Sequence, residues 1–492
     1  MSWAIYTLLA VPLVATATAL LDGWRLARVA TLLAGLASLG LTIAIAIDVE
    51  HGRVLSAAGG WLRVDALGAV FLLATGLLYA ISGVFSIGYL GVARGETGFA
   101  SFARRYFALL NLFGWSMLLV PLAADFGSLW VAVELTTIVS ALLVAIDRTD
   151  AALEASWKYI LIASSGLGIA LISIVILYGT GTHVLGSAYL PRFQAFIEHA
   201  HGLSADAVRL AFVLSLVGFG TKVGFVPTHA WLPDAHSEAP APVSALLSGS
   251  LLAGAFYAIL RFFQVAVAAG ERSFAEHALI VLGVISLVAA SFFVLRQANF
   301  KRLLAYSSIE HMGIIALGIG FGAPLAVAGA LLHVITHASA KGLAFFGAGS
   351  LLRGYDTKDV DAVTGAGRAM PWTGPMFMAA ALALCGLPLS GVFRSEFQIV
   401  VGGFAQAQYV GVALLLVFVN LAFFGVSWHS GRMVLSRAAE PVAGVAPARE
   451  RSAWMVAAMV ACLFVVIALG VHLPGDLAAL LHTAGHSLAA PR

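Results

Sequence analysis

Charge is what this sequence most lacks. Of 492 residues only 10% are Asp, Glu, Lys or Arg, where a water-soluble domain carries roughly a quarter. So few charges cannot cover a soluble body of this size, and 61% of the residues are hydrophobic. The chain therefore reads as an integral membrane protein. Its net charge of +3 is thinly spread and forms no basic patch, which excludes nucleic-acid binding as a main role. Cysteine is nearly absent. Cys385 and Cys462 both lie in apolar runs, and two are too few for a four-cysteine iron–sulfur or zinc site. No CxxCH marks a c-type haem. Gly220-Thr221-Lys222 lacks the upstream glycine of a phosphate-binding loop, and no GxGxxG follows a strand. These absences predict a chain with no cofactor, no metal and no catalytic centre of its own.

What is present is apolar length. A bilayer span needs roughly 20 apolar residues, and the sequence predicts about fourteen spans: 4–21, 27–47, 66–90, 104–122, 126–146, 157–179, 209–228, 241–262, 274–295, 303–320, 324–350, 372–398, 407–431 and 452–472. The expected fold is all-α and polytopic. The longest connection, about 180–208, holds His183, Arg192, His199 and His201, and the chain is expected to stop soon after the last span. Met1-Ser2-Trp3-Ala4 enters an apolar run without a basic segment or cleavage site, so it reads as a retained first span.

Lys and Arg set the expected orientation. One side gathers sixteen, among them Arg104, Arg105, Lys301 and Arg302. The other holds seven: Arg53, Arg63, Arg192, Arg209, Arg261, Arg272 and Arg492. The richer side is expected to be cytoplasmic, with both termini outside. Two spans are interrupted, one at Gly218–Pro227 and one at Cys385–Gly391, with Pro227 and Pro388 as the breakers. Breaks at membrane depth are tolerated where they line protein or a wet cavity. Their placement in the two halves suggests an internal repeat of inverted five-helix units. The expected division is residues 1–103 (helices 1–3), 104–265 (first repeat), 266–432 (second repeat), and 433–492 (last helix and tail).

The chemistry resides in ionisable groups within the spans, each costing about 2.5–3.5 kcal/mol at a helix centre on insertion scales. Glu134 lies mid-span, Lys222 stands beside the first break, and Glu396 follows the second. His333, His337 and Lys341 recur every four residues, so they share a helix face. Lys158, with Glu154 one turn earlier, and the neighbours Glu310 and His311 are secondary candidates. A line of acid, amine and imidazole groups suits proton transfer, with water bridging the gaps. Each residue also has a structural reading: Glu134 bonding a neighbouring helix, Lys222 capping carbonyls at the break, Lys158 snorkelling to the interface. Asp234, His236 and Glu238 read as a polar loop, and a zinc site there lacks a fourth ligand.

These residues sit in recognisable strings. Thr221-Lys222-Val223-Gly224-Phe225-Val226-Pro227-Thr228-His229-Ala230-Trp231-Leu232-Pro233-Asp234-Ala235-His236, Lys301-Arg302-Leu303-Leu304-Ala305-Tyr306-Ser307-Ser308, His333 through His337 to Lys341, and Gly386-Leu387-Pro388 to Glu396 together resemble the antiporter-like, proton-translocating subunits of complex I and related hydrogenases. The resemblance covers roughly residues 65–430. It implies that Glu134 and Lys222 form a proton-loading pair, that His337 and Lys341 link two half-channels, and that Glu396 is the terminal group. His236-Ser237-Glu238-Ala239-Pro240 and Ile309-Glu310-His311-Met312-Gly313 look most like component F of hydrogenase-4-type complexes. One departure stands out. Where relatives often carry a histidine in span eight, this chain has Leu247-Ser248-Gly249, so Ser248 or a water would substitute.

The implied function is proton pumping in a bacterial or archaeal cell membrane. Other antiporter-like subunits and a peripheral redox arm would be its partners. The rival readings are a subunit of respiratory NADH–quinone oxidoreductase, a multisubunit sodium/proton antiporter, and a non-conducting scaffold.

Overall fold

A computed structural model describes residues 2–21, 24–186, 189–437 and 448–488. Arg492, counted above on the outer side, lies outside them. The chain forms α1 (Ser2–Leu21), α2 (Arg25–Val49), a short antiparallel hairpin of β1 (Leu55–Ala57) and β2 (Leu62–Val64), α3 (Ala66–Gly91), α4 (Phe99–Leu119), α5 (Phe126–Val144) and α6 (Asp150–Leu185). Then come α7 (Phe193–Glu198), α8 (Ala205–Val223), α9 (Trp231–Glu238), α10 (Ala241–Leu246), α11 (Leu252–Ala268), α12 (Arg272–Val294), α13 (Phe300–Gly320) and α14 (Pro324–Tyr355). The chain closes with α15 (Ala366–Ala369), α16 (Thr373–Leu384), α17 (Gly391–Ala405), α18 (Tyr409–Leu435), α19 (Ala453–Val471) and α20 (Gly475–Leu488).

Twelve helical segments among the described residues are long and apolar enough to cross a membrane. α14, which carries His333, His337 and Lys341 in its middle, and the interrupted pair α16–α17 complete the fourteen expected spans. The protein is a multi-pass, all-α membrane protein. Enclosure is graded. The most apolar stretch of α13 is 100% buried and that of α10–α11 is 94% buried, against 33–39% for α1, α2, α6, α12, α18 and α19. The outer helices thus turn their apolar faces to lipid and wall off an interior in which polar side chains are held by protein.

Several expectations need correction. The connection expected at 180–208 is shorter, because α6 runs on to Leu185 and α7 fills part of the remainder. Residues 231–238 are a helix rather than a polar loop: α9 is the second half of the first broken span. Arg261 is not at the outer surface. It is buried in α11, 2.7 Å from Asp65 Oδ1 and hydrogen-bonded to Tyr257 and Gln264. The helix α20 was not anticipated. It is fastened where Gln264 Nε2 donates to Ser487 O (2.9 Å) and Thr483 Oγ1 donates to Glu50 O (2.5 Å). The Tyr6 hydroxyl near the start of α1 accepts from the Ala58 amide beside the hairpin. The first helix therefore begins on the face where α20 lies.

The two breaks share one construction. α8 ends at Gly224 (φ +86°), where the Phe225 amide bonds Gly220 O (2.9 Å) and the Gly224 amide bonds Thr221 O (3.3 Å). α16 ends at Gly386 (φ +69°), where the Leu387 amide bonds Leu382 O (3.0 Å) and the Gly386 amide bonds Ala383 O (3.1 Å). Both are the glycine-terminated cap in which a left-handed residue folds two amides back onto the last carbonyls. A proline follows in each, Pro227 or Pro388, before the helix resumes. The freed polar groups are thus met locally, which is what lets the chain break inside an apolar body.

Candidate functional site

The first centre forms at the end of α8. Lys222 lies in its last turn, where the unpaired carbonyls carry partial negative charge that favours a cation. The side chain is fully buried and reaches α5. Nζ donates to Val133 O (2.9 Å) and to Thr137 Oγ1, 6.0 Å from the centre of the Tyr159 ring. It therefore caps a carbonyl of the neighbouring helix rather than those of its own break. Glu134 is the next residue along α5, half-buried. Its Oε1 accepts from Ser164 Oγ (2.8 Å), and its Oε2 is buried without a partner. Glu134 and Lys222 feel each other's charge but form no ion pair within 4.0 Å. The structure holds the pair open.

Lys158 stands apart from this centre. It is half-exposed and ion-paired to Glu154 (2.5 Å) and Asp234 Oδ2 (3.6 Å), while Asp234 Oδ1 pairs with Arg302. This network rims the basic-rich face where α9 ends and α13 begins. Nearby, Lys301 Nζ donates to Ser237 O and Ala239 O at the end of α9, and Lys358 pairs with Glu238 (2.9 Å).

The middle of the molecule is bridged by serines. Leu247–Leu251, between α10 and α11, is a π-helical turn. Such a one-turn widening frequently marks a functional position. Within it Ser248 Oγ lies 2.8 Å from Ser308 Oγ on α13, and Ser308 Oγ donates to Leu304 O (3.0 Å). Lys341 Nζ, on α14, donates to the same Leu304 O (2.9 Å) and to Ser307 Oγ (2.7 Å). The carbonyl of Leu304 thus joins Ser248 to Lys341. Glu310 is buried on α13 and within electrostatic reach of both Lys341 and Glu396.

Beyond Lys341 three imidazoles converge. His311 Nδ1 is 3.0 Å from His333 Nε2, and His333 Nδ1 is 2.8 Å from Ser395 Oγ. The Ser395 hydroxyl donates to Val392 O (2.8 Å), so Ser395 accepts from His333 Nδ1–H. A neutral His333 then accepts at Nε2, and His311 donates from Nδ1. The network assigns one direction to the string, with His311 Nε2 left as a lone pair that has no partner. His337 sits 5.0 Å from His311, ring centre to ring centre, and both its nitrogens are buried and unpartnered. Glu396 Oε1 is also unpartnered, 3.9 Å from His311 Nδ1. Its other oxygen lies against Gly386, where any Cβ would stand 2.5 Å from Oε2. His311, His333 and Glu396 are metal-ligand types with ligand atoms within 4.8 Å of one another. In this arrangement the hydrogen bond between the two imidazoles engages the lone pair of one and the proton of the other.

Sequence reasoning missed His236. On α9 it is fully buried, both ring nitrogens lack partners, and its ring stacks 5.2 Å from Phe345 within electrostatic reach of Lys301 and Lys341. The placement of α9 inside the molecule, rather than in a loop, is the signal that was hidden. Ser164, Thr137, Ser307 and Ser395 were missed because single hydroxyls carry no spacing pattern.

Residues 123–424 match the family model described as NADH:quinone oxidoreductase/Mrp antiporter, TM. A relative from Methylacidiphilum infernorum, hydrogenase-4 component F homolog, is 35% identical over 359 residues, covering 72% of this chain and 75% of that one. Hydrogenase-4 component B of Escherichia coli is 30% identical over 369 residues, and the chain spans about half of that longer relative (52%). Among solved structures, a chain of an archaeal membrane-bound sulfane sulfur reductase aligns with a TM-score of 0.85 and 22% identity, covering 99% of this chain and 98% of that one. A chain of the Mrp complex from a Dietzia species aligns with a TM-score of 0.85 and 21% identity over the same shares. At these identities the structural likeness concerns the fold.

Proposed function

The chain belongs to the NADH:quinone oxidoreductase/Mrp antiporter transmembrane family, and from that premise we propose that it is the proton-conducting membrane subunit of a hydrogenase-4-type oxidoreductase complex. Redox chemistry in partner subunits would drive it, and the chain itself supplies the path.

In this reading protons enter from the basic-rich face, past Lys158 and Asp234, and load at Glu134 and Lys222. The open pair supports that role, because a base whose counter-charge is out of contact can exchange a proton that a closed ion pair would hold. Ser248 and Ser308 extend the path towards Lys341, where the span-eight histidine of relatives is lacking. His337, His311 and His333 pass protons through either ring nitrogen, and Glu396 delivers them to the opposite face. Pro227 and Pro388, with their glycine caps, place Lys222 and Glu396 at helix breaks.

The observation that carries this reading is the succession of Ser248, Ser308, Lys341, the imidazole cluster and Glu396 on helices walled off from lipid, with water bridging the places, such as Leu304 O, where no protein group can hand on a proton. The test is proton pumping by the assembled complex in sealed vesicles, with electrons supplied and the proton-to-electron ratio measured. A Lys222→Ala complex that keeps both ratio and turnover overturns the assignment. The subunit list of the purified complex separates this reading from its rivals: hydrogenase-like large and small subunits support it, and an assembly without redox subunits refutes it.

A further inference from the structure

On the face where α12 begins and α13 and α17 end, the described residues enclose a cavity of about 1120 Å³ that plays no part in the path so far. Arg272, Glu276, Gln398, Gln406, His482 and His486 line it, and α20 closes one side. Its inner wall approaches the imidazole cluster. Gln398 is two residues beyond Glu396 on α17, about 3 Å along the helix, and Val327 is six residues before His333 on α14, about 9 Å. The cavity is therefore wide, mostly apolar with these polar groups among its lining, and within about two turns along the helices of the last groups of the path.

α20 presents a specific chemistry to this space. Leu480, Leu481, Ala484 and Leu488 are buried, and the bonds from Gln264 and Thr483 fix the helix in place. His482 and His486, one turn apart and exposed, share a hydrogen bond between their Nε2 atoms at 3.2 Å; both rings are open to solvent, so an ion can displace that shared proton. Two nitrogens bound to one zinc ion at 2.0–2.1 Å in tetrahedral geometry stand about 3.4 Å apart. The pair is thus already at ligand spacing, and histidines four residues apart on a helix are a known bidentate arrangement. The nearby cation, Arg272, is paired with Glu276 at 2.8 Å, so its charge is balanced before a metal arrives.

We propose that His482 and His486 bind a divalent transition-metal ion, Zn²⁺ or more tightly Cu²⁺, and that this ion slows proton release through the cavity. On binding, the proton shared between the two Nε2 atoms is given up as that ring takes its proton on Nδ1, both imidazoles bind through Nε2, and water completes the coordination. The transport half of the proposal rests on the function proposed above; the binding half does not.

The experiment uses the purified complex and vesicles with this face outward. Co²⁺ is titrated first and read by its visible d–d absorption, then displaced by Zn²⁺. The expected result is one equivalent that the His482→Ala/His486→Ala complex binds at least tenfold more weakly, with His482→Asn/His486→Asn as a second variant should the first fail to assemble. Zinc sulfate added outside is expected to slow pumping by the unmodified complex, with at least tenfold more zinc needed in the double variant. Unchanged metal affinity in the double variants overturns the site. Site-dependent binding with no effect of zinc on pumping overturns the placement at the release mouth. A complex that binds metal through this pair yet does not pump at all refutes the proposed function and leaves the metal site standing.

Discussion

Lys222→Met separates a proton-loading lysine from a structural one. As a structural cap, Lys222 would contribute through its bonds to Val133 O and Thr137 Oγ1. Hydrogen bonds from a charged donor are worth about 1.5–3 kcal/mol each, so their loss would remove about 3–6 kcal/mol. Against this stands the burial of an ammonium group, whose effective penalty is several kcal/mol. Val133 O lies within α5, and the Ser164–Glu134 bond does not involve Lys222. Methionine fills the same space with an unbranched apolar chain. The two terms nearly cancel, and the expected change in stability is within about 2 kcal/mol. The assay pairs thermal unfolding of the detergent-solubilised complex with proton pumping in vesicles. The expected outcome is a midpoint close to that of the unmodified complex and a proton-to-electron ratio reduced by this subunit's whole share. A drop in midpoint of about 3–6 °C, as loss of about 3–6 kcal/mol from an uncompensated cap would give in a chain of this length, refutes the reasoning, as does an unchanged ratio.

Gly386→Ala places a Cβ 2.5 Å from Glu396 Oε2 on a left-handed backbone. About 1–2 kcal/mol of strain and a displaced carboxylate are expected, seen as a lower melting midpoint and slower pumping; Gly40→Ala, with open space around it, is the neutral control. Arg261→Met leaves Asp65 without its partner and is expected to cost about 3–5 kcal/mol, most of it recovered in Asp65→Asn/Arg261→Met, as a double-mutant cycle of unfolding measures. Burial raises the Asp65 carboxyl, but the Arg261 guanidinium outweighs it and holds the group below the usual carboxylate range. Its contribution to stability is therefore full above about pH 3.9, is lost as pH falls through the lowered folded value, and is missing in Arg261→Met across an acid unfolding series. Ser248→Ala severs the link to Ser308 at a stability cost of about 0.5–1.5 kcal/mol; stopped-flow pumping should slow several-fold, and an unchanged rate removes the serine bridge from the path.

Much of this architecture could be read from the sequence because a bilayer imposes a length on every apolar run. The fourteen spans, the breaks at Pro227 and Pro388, and the shared face of His333, His337 and Lys341 all follow from counting residues. The failures occur where length carries no information. α9 is only eight residues and polar, so nothing distinguished it from a loop, and His236 was set aside with it. α20 is short, and no motif drew its histidines into the reading. The π-helical turn at Ser248 leaves no mark in composition. Arg261 looked like an interface charge because its partner, Asp65, is nearly two hundred residues away. The openness of the Glu134–Lys222 pair is a matter of ångströms that residue types cannot specify.

The joining of α13 to α14 bears on how the protein is made. α13 shares with α4 the lowest mean hydropathy among the twelve apolar segments, and α14 falls outside that set. Offered singly to the lipid by the translocon, each would present Glu310 and His311, or His333, His337 and Lys341, to hydrocarbon. Only Phe321–Ala323 separates the two helices, and the bonds from His311 to His333 and from Lys341 to Leu304 O and Ser307 face inward between them. In the folded chain each arm shields the other's polar side, so insertion of the two as one hairpin would spare both sets of polar groups exposure to hydrocarbon.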